Sequence, residues 1–274
     1  MASSEYTKQQ SDVRPLHSFK KLAVIFCAKN CDKTISNAIS CVKDAQLSNM
    51  QAVTIVVDGF STDNTIKVAR ESEATSVIQH PDKKFPGKGM AMRAGLAEAA
   101  KLGADVAMFL DADIKNLTSE WVTKLAEPVL QRSYDMARGY YDRRPRDAAV
   151  TKLVAKPMIS VFFPEIVQME QPLSGEVCAT MKAWSNLLER GKHNDDSSNL
   201  VPDGWGIDVW FLIEAAIIGQ KITEVYLGKK EHTSYEEYAE DVGTLSKMSE
   251  QVLFTIIKEA INHNRLESYK KVAV

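Results

Sequence analysis

Short apolar runs alternate with helical patterns along the first half of the chain. Residues 22–27 and 106–110 are apolar throughout, residues 53–57 are rich in β-branched residues, and residues 76–79 form a weaker run. Segments with helical spacing of apolar residues separate them. Strands that are apolar on both faces and are joined by helices are typical of a parallel sheet covered on both sides, so the pattern predicts an α/β fold. Ligands of such sheets bind beyond the carboxyl ends of the strands. We therefore expect the functional residues directly after the three strong runs.

The second half of the chain is less regular. Residues 148–157 and 177–188 predict further helices on either side of a turn, 208–218 an apolar helix, and 222–227 a strand. Residues 238–264 predict a long amphipathic helix, because five apolar residues recur there at helical spacing: Leu245, Met248, Val252, Ile256 and Ile261.

Composition and charge narrow the class of protein. The chain has 274 residues, 45% of them hydrophobic and 26% charged, with a formal net charge of −2. This balance gives no general attraction to nucleic acid or to anionic membranes, and no apolar run approaches the roughly 20 residues that span a bilayer. Four cysteines without paired Cys-x-x-Cys spacing indicate reduced thiols in a cytoplasmic protein. We expect a flexible arm over residues 1–20, one domain over 21–235 and a helical extension over 236–274.

Two carboxylates follow the third strong run, as Asp111-Ala112-Asp113. An unpaired charge at the end of a buried strand is costly, whereas carboxylate oxygens there suit Mg²⁺ or Mn²⁺ together with substrate phosphates. The alternative is a solvated loop or a cap for the helix that starts near residue 118. We favour the metal site.

Two further motifs lie at the same predicted edge. Asp58-Gly-Phe-Ser61 follows the second run and could bind a base N–H, although the same residues suit a simple turn before a helix. Gly87-Lys88-Gly89 opens a helix, where anions bind well, and glycines on both sides of Lys88 would allow a close approach to a diphosphate. Neither a Walker loop nor a Gly-x-Gly-x-x-Gly fingerprint is present.

The order of these motifs resembles the nucleotide-sugar half of a GT-A glycosyltransferase. Three later segments, Gln171-Pro-Leu-Ser-Gly-Glu176, Gly204-Trp-Gly-Ile-Asp208 and Leu227-Gly-Lys-Lys-Glu-His232, are similar to those of the retaining glucosyl-3-phosphoglycerate synthases, which are relatives of mannosylglycerate synthase. The similarity runs from about residue 21 to residue 232. It implies a GT-A fold with a mostly parallel nucleotide-binding sheet.

The resemblance also implies roles for individual residues. One group would bind the donor: Ala28, Asp32, Asp58, Ser61, Lys88, Asp111 and Ala112. Asp113 and His232 would bind the cation, with Asp111 at the ribose or at a water of the metal shell. Trp205 and Asp208 would lie near the sugar, the carbonyl of Leu173 would face the anomeric carbon, and Thr151 would contact the acceptor. The catalytic set is then Asp113, Leu173, Lys88 and Asp208.

The phosphoglycerate site departs from the family pattern. Ala148-Ala149 replaces a Gly-Arg pair that grips the acceptor phosphate, and Ser234 and Tyr235 replace an Asn and an Arg beyond the metal-binding histidine. Arg143, Arg144 and Arg146 could supply an anion clamp instead, or form a solvated face.

The resemblance implies transfer of a hexose, in particular glucose, from a nucleotide sugar such as UDP-glucose to a small anionic hydroxy acid such as 3-phosphoglycerate. It further implies Mg²⁺ or Mn²⁺ dependence, retention of configuration and a homodimer. Two alternatives remain: a dolichol-phosphate-type or other small-acceptor hexosyltransferase, and a non-catalytic nucleotide-sugar-binding protein. The sequence predicts neither a nucleic-acid partner nor a membrane segment.

Overall fold

A sheet of seven strands runs through the part of the chain that the computed structural model describes, residues 20–48, 50–142, 148–191, 201–232 and 242–266. Its strands are β1 (Lys21–Ala28), β2 (Gln51–Asp58), β3 (Ser76–Gln79), β4 (Val106–Asp111), β5 (Met136–Asp142), β6 (Val177–Thr180) and β7 (Ile222–Lys229). They lie in the order β3-β2-β1-β4-β6-β5-β7. Strand β6 is antiparallel to both of its neighbours, and the other neighbouring strands are parallel. The predicted α/β fold with a mostly parallel sheet is confirmed.

Helices connect the strands and cover the sheet. They are α1 (Ile35–Lys43), α2 (Thr65–Glu71), α3 (Lys88–Lys101), α4 (Ser119–Leu130), α5 (Lys156–Phe162), α6 (Met181–Arg190), α7 (Ile207–Ile217) and α8 (Val242–Asn262). A π-helical turn, Thr151–Ala155, precedes α5, and a 3₁₀ turn, Pro164–Ile166, follows it. None of the helices in the described ranges combines the length and the hydropathy that a bilayer crossing requires.

The central strands are buried on both faces, which explains their unbroken apolar runs. In β1, Leu22, Val24 and Phe26 pack with α1 and α4, while Ala23 and Ile25 pack with α3, α6 and α7. Every second residue faces the same side of a strand, so both sets must be apolar when helices cover both sides.

The second half of the sheet differs from the prediction. Residues 177–180 form β6, and the predicted helix begins only at Met181. Strand β5 escaped prediction because its sequence, Met-Ala-Arg-Gly-Tyr-Tyr-Asp, interrupts the apolar pattern with Arg138 and Gly139. The Arg138 side chain is fully buried and donates hydrogen bonds to the carbonyl oxygens of Pro172, Ser174 and Asp208.

Helix α8 packs against α7 and α5, and its position bears on the site described below. Val252, Ile256 and Ala260 are buried against α7, at a spacing of four residues. The predicted apolar stripe is wrong at one residue, because Ile261 is 55% exposed. Of the predicted extension, residues 242–266 are described; the predicted arm lies, apart from Lys20, outside the described residues.

A buried charge cluster fixes the end of α8. The His263 Nε2 atom lies 2.6 Å from Glu214 Oε1 on α7 and 3.5 Å from Glu259 Oε2, and Arg190 on α6 pairs with the other oxygen of Glu214. Hydrogen bonds to Glu214 and Glu259 raise the pKa of His263 to about 9, although partial burial opposes the shift. The charged imidazole therefore ties α8 to α7 at neutral pH.

We expect this tie to weaken in alkali. The pKa of His263 is higher in the folded protein than the usual 6.5, so the folded state gains stability from the proton below about pH 6.5 and loses it as the pH rises through about 9. Thermal unfolding between pH 7 and pH 10 measures the effect. In His263→Gln the melting temperature should depend less on pH over this range, and an unchanged pH dependence would contradict the assignment.

Candidate active site

Polar side chains gather where three parallel strands end. The register places Ala28 beside Asp58 of β2, and Cys27 beside both Val57 and Asp111 of β4. The expectation that the motifs after β1, β2 and β4 lie at one edge of the sheet is therefore confirmed by the register.

The first part of this edge is organised around Asp58. Its carboxylate is 1% exposed and accepts hydrogen bonds from Gln79 Nε2 at 2.8 Å and from the Ser61 backbone N–H at 3.2 Å. The Ser61 hydroxyl accepts from the backbone N–H of Asn30 at 2.9 Å. The loops after β1 and β2 are thus joined, and a carboxylate can accept more than two hydrogen bonds, which leaves capacity for a ligand N–H.

The neighbouring donor candidates lie in the same loops. The backbone N–H of Asp32 donates to Asp63 Oδ2 at 3.1 Å, and Asp32 itself is half-buried. Ala112 is buried, and its carbonyl accepts from the Thr34 hydroxyl at 2.7 Å. Thr34 thereby fixes the turn between Asp111, the last residue of β4, and Asp113.

Five charged side chains of alternating sign form a row across the edge, which we call the charge network: Glu176, Lys230, Asp111, Lys88 and Asp208. Lys230 Nζ lies 2.7 Å from Glu176 Oε1 and 2.6 Å from Asp111 Oδ2. Lys88 Nζ lies 3.5 Å from Asp111 Oδ1 and 2.8 Å from Asp208 Oδ2. The five residues come from five different parts of the fold, so the tertiary structure assembles the row.

The charges of this row stabilise one another. Burial alone would raise the pKa of Asp111, but Lys230 and Lys88 hold it well below its usual range. Burial would lower the pKa of Lys88, and the attraction of Asp111 and Asp208 raises it instead. For Asp208 burial dominates and raises the pKa, although Lys88 opposes the shift. The Asp208 Oδ1 atom is buried without a hydrogen-bond partner among the described residues, so it can accept a hydrogen bond from a ligand.

Gly175 allows the close packing at the middle of the row. A Cβ atom there would lie 2.5 Å from Asp111 Oδ1 and 2.9 Å from Lys88 Nζ. The glycine of the 171–176 segment is therefore required by the approach of this loop to Asp111.

The glycines beside Lys88 have a different role from the predicted one. Cβ atoms at Gly87 and Gly89 would clash with the carbonyl oxygens of Asp203 and Pro202, and the Met90 N–H donates to Asp203 O at 3.1 Å. A neighbouring loop, and not an open space for a diphosphate, explains why both positions are glycine. Lys88 itself still faces the site.

Asp113 and His232 form the pair that could hold a cation. His232 Nδ1 lies 3.8 Å from Asp113 Oδ2, and a β-bridge between Ile114 and His232 brings the two segments together. A cation bound at about 2.0–2.2 Å by both atoms would have them about 3–4.3 Å apart, so the pair fits. Asp111 is less suited to direct ligation, because each of its oxygens faces a lysine.

The segment 204–206, which contains Trp205 and precedes Asp208, packs against α8. The half-buried Trp205 donates its backbone N–H to Gln251 Oε1 at 2.8 Å. Cβ atoms at Gly204 and Gly206 would clash with the side chains of Gln251 and Thr255. Gly206 is thus required by the close approach of Thr255, and Gly204 leaves room for the end of the Gln251 side chain.

A cavity of about 460 Å³ lies beside the end of β5. Its lining includes Tyr140, Tyr141, Thr151, Lys152, Lys156 and Gln171. We call it the β5 cavity. The buried Oε1 atom of Gln171 has no hydrogen-bond partner among the described residues. Tyr141 connects the cavity with the charge network, because its hydroxyl lies 3.5 Å from Lys230 Nζ. Leu173, half-buried in the loop that begins at Gln171, packs against the core between α5, α7 and α8.

Comparison with known proteins identifies the family of this chain. The family model described as the glycosyltransferase domain of mannosylglycerate synthase matches residues 17–248. This chain belongs to that family of glycosyltransferases. Glucosyl-3-phosphoglycerate synthase of Petrotoga mobilis is 27% identical over 272 residues, which cover 92% of this chain and 75% of that one.

Solved structures of relatives show the same fold. A crystal structure of glucosyl-3-phosphoglycerate synthase from Mycobacterium tuberculosis with Mn²⁺, UDP and phosphoglyceric acid is similar with a TM-score of 0.72 at 27% identity, covering 88% of this chain and 78% of that one. A second structure of that enzyme, with Mg²⁺ and UDP, gives a TM-score of 0.71 at 27% identity and covers 88% and 79% of the two chains. The predicted GT-A fold and family resemblance are confirmed.

Sequence reasoning missed two members of the charge network in this glycosyltransferase. Glu176 and Lys230 stand inside the motifs that carried the resemblance, but neither was assigned a role. Because residues 177–188 were predicted as a helix and the predicted strand 222–227 ends before residue 228, neither residue stood at the end of a predicted strand. The predicted arginine clamp, Arg143, Arg144 and Arg146, and the substituted positions 234 and 235 lie outside the described residues.

Proposed function

We propose that this glycosyltransferase moves glucose from UDP-glucose to 3-phosphoglycerate or a closely related small hydroxy acid, with retention of configuration and with Mg²⁺ or Mn²⁺. The observation that carries the proposal is that Asp113, His232 and Lys88 face one edge of the sheet, beside the buried carboxylates of the charge network. The ligands of the M. tuberculosis relative, UDP, Mn²⁺ and phosphoglyceric acid, support the same assignment.

The nucleoside would lie over the ends of β1 and β2. Asp58 has the capacity to accept from a base N–H, and Ser61 and Asp32 border the same loop junction. The backbone of Ala28 lies beside Asp58 and accepts from the Gly59 N–H at 2.7 Å, which keeps this part of the site in place.

Lys88 would bind the diphosphate, and Asp113 and His232 would hold the cation. When bound, the cation supplies Lewis-acid stabilisation of the charge that develops on the leaving diphosphate. Lys88 adds electrostatic stabilisation of the same charge, and its partial burial makes this interaction stronger than it would be in water. Asp111 keeps Lys88 charged and oriented.

The sugar would lie between Asp208 and the 171–176 loop. Asp208 Oδ1 is free to accept from a sugar hydroxyl, and the Leu173 carbonyl would face the anomeric carbon. In the retaining reaction the acceptor hydroxyl attacks the anomeric carbon from the same face of the sugar ring from which the diphosphate departs. The new C–O bond forms as the bond to the diphosphate breaks, and the hydroxyl proton passes to the departing phosphate oxygen.

The β5 cavity is the acceptor site in this proposal. Thr151 is buried at its wall, and Lys152, Lys156 and Gln171 offer groups that can bind a carboxylate or a phosphate. Lys156 is paired with Glu170 at 2.9 Å, so part of its charge is already balanced.

A screen of donors against acceptors tests the function. UDP- and GDP-hexoses should be assayed with glycerate, 3-phosphoglycerate and related acids, each with Mn²⁺ and with EDTA. We expect a glucosylated acid from UDP-glucose in the metal-containing reactions only. UDP-glucose binding without product or free UDP would instead indicate a non-catalytic binding protein, and product with a polyprenyl phosphate would indicate the lipid-acceptor alternative.

We infer a homodimer formed through α8. Phe254 and Ile261, which are about two turns apart on one face of this helix, are 66% and 55% exposed. Light scattering should give a dimer mass for the wild-type chain and a monomer mass for Phe254→Glu. A monomeric wild-type protein would exclude the dimer.

A further inference from the structure

Lys230 is the most deeply buried lysine of the charge network. Its side chain is 4% exposed and directly follows β7, two residues before His232. It donates to Asp111 Oδ2 at 2.6 Å and to Glu176 Oε1 at 2.7 Å. A lysine is seldom buried to this degree unless it is paired, and here it is paired with two carboxylates.

The same ammonium group also reaches the β5 cavity. It lies 3.5 Å from the Tyr141 hydroxyl and 5.0 Å from the centre of the Tyr141 ring. The ring is stacked on Trp121, with the ring planes 9° apart. Lys230 therefore contacts a carboxylate beside the diphosphate site and an aromatic side chain in the wall of the neighbouring cavity.

We propose that Lys230 is a positioning residue for the transfer reaction, which holds Asp111 beside Lys88 on one side and Tyr141 at the wall of the β5 cavity on the other. The role of the cavity rests on the proposed function; the contact with Asp111 does not. Lys88 lies closer to Asp208 than to Asp111, at 2.8 Å against 3.5 Å. With Lys230 present, Asp111 shares its charge between two lysines, and Lys88 remains available to Asp208 and to a phosphate.

Loss of Lys230 would change this balance. Asp111 and Glu176 would face each other without the cation between them, and Lys88 would be the remaining lysine of the network close to Asp111. We expect Lys88 to move toward Asp111 and away from the position in which it meets the diphosphate. Asp111, no longer held on one side, would also lose its fixed orientation.

A purely stabilising role of Lys230 must be distinguished from the proposed positioning role. Glu176 is fully buried, and a buried carboxylate without a cation destabilises the fold. The only role of Lys230 could be to neutralise the buried charge of Glu176. The double variant K230M/E176Q removes the Lys230 cation together with the buried negative charge of Glu176, so we expect it to fold while lacking the contact with Asp111.

The experiment compares K230M, E176Q, the double variant and K230R. Thermal unfolding reports stability, calorimetric titration with UDP in EDTA and in Mn²⁺ reports the donor site, and steady-state kinetics separate kcat from KM. The control is Lys229→Met, which removes the adjacent lysine, 54% exposed and paired with Glu231 at the surface. We expect the control to match the wild-type protein in all three measurements.

For K230M we expect a lower melting temperature, and for the double variant a recovery toward the wild-type value. UDP affinity in the double variant should remain about tenfold below wild type both with and without Mn²⁺, which is the loss of about one charge-assisted hydrogen bond. The kcat should fall as well, because Lys88 is displaced in the transition state. K230R keeps the charge and should restore part of the UDP affinity.

A double variant with recovered stability, wild-type UDP affinity and wild-type kinetics would overturn the proposal, since Lys230 would then serve only Glu176. If K230M fails to fold, the UDP affinity and the kinetics of the double variant and of K230R still test whether Lys230 positions Asp111. Wild-type protein that binds UDP but glucosylates none of the acids would refute the proposed transfer alone, because UDP binding still tests Lys230. Wild-type protein that binds no UDP would overturn both.

Discussion

Asp113→Ala should lose at least about 1,000-fold in the rate of sugar transfer while the protein stays folded. The proposed Lewis acid stabilises the transition state by several kcal/mol, and each decrease of about 1.4 kcal/mol in the activation free energy raises the rate tenfold. The side chain of Asp113 is 25% exposed at the edge of the sheet, outside the apolar core. We therefore expect the melting temperature to stay within about 2 °C of the wild-type value.

Metal binding gives a second measurement of the same prediction. Titration of wild-type protein with Mn²⁺ in the presence of UDP should show a bound ion, and Asp113→Ala should bind it at least about tenfold more weakly. Asp44→Ala, an exposed aspartate at the end of α1, is the matched control and should leave both measurements unchanged. Undiminished transfer by Asp113→Ala in the presence of Mn²⁺ would refute the metal-binding role.

The central sheet could be predicted from sequence because its strands are covered on both faces. Residues 22–27 and 106–110 are apolar without interruption for this reason, residues 53–57 are apolar except for Thr54, and all three segments are strands in the structure. Strand β5 could not be predicted in the same way. Its Arg138 can be buried because it donates hydrogen bonds to three carbonyl groups from distant parts of the chain, and no local sequence pattern reveals these partners.

Some features of the candidate site could likewise be predicted from the sequence, and others could not. Asp113 and His232 were paired by resemblance, and the structure brings their side chains to 3.8 Å through the bridge at Ile114. The glycines beside Lys88 were associated with a ligand, whereas they accommodate the backbone of residues 202 and 203. A glycine indicates that something approaches closely, but the sequence does not say whether this is a phosphate or another part of the chain.

The same limit applies to the charge network. Its acids and lysines were visible in the sequence, but the alternation of their charges depends on the fold. The fold brings together the start of α3, the end of β4, the residue before β6, the residue after β7 and the start of α7. Because each charge of the network has a neighbour of opposite sign, the ion pairs compensate the cost of burying these side chains. The removal of a single member should therefore affect the others.

Lys88 is the member whose loss should have the largest effect on the reaction. Lys88→Met keeps most of the side-chain volume but leaves Asp208, which is 94% buried, without its cation. The pKa of Asp208 is already raised by burial, and without the attraction of Lys88 it should rise further, which disfavours the carboxylate form that accepts a hydrogen bond from the sugar. The departing diphosphate would lose its lysine as well. We expect kcat to fall about 100- to 1,000-fold at saturating UDP-glucose and Mn²⁺.

Lys101→Met is the matched control for this substitution. Lys101 ends the same helix, α3, and is 75% exposed, with Glu98 as its partner on the surface. We expect this variant to keep wild-type kinetics. The release of free UDP from UDP-glucose should also be slower in Lys88→Met than in the control, since this reaction needs the same leaving group and no acceptor. If Lys88→Met transferred glucose within about threefold of the control, Lys88 would have a structural role between two carboxylates and would not act on the diphosphate.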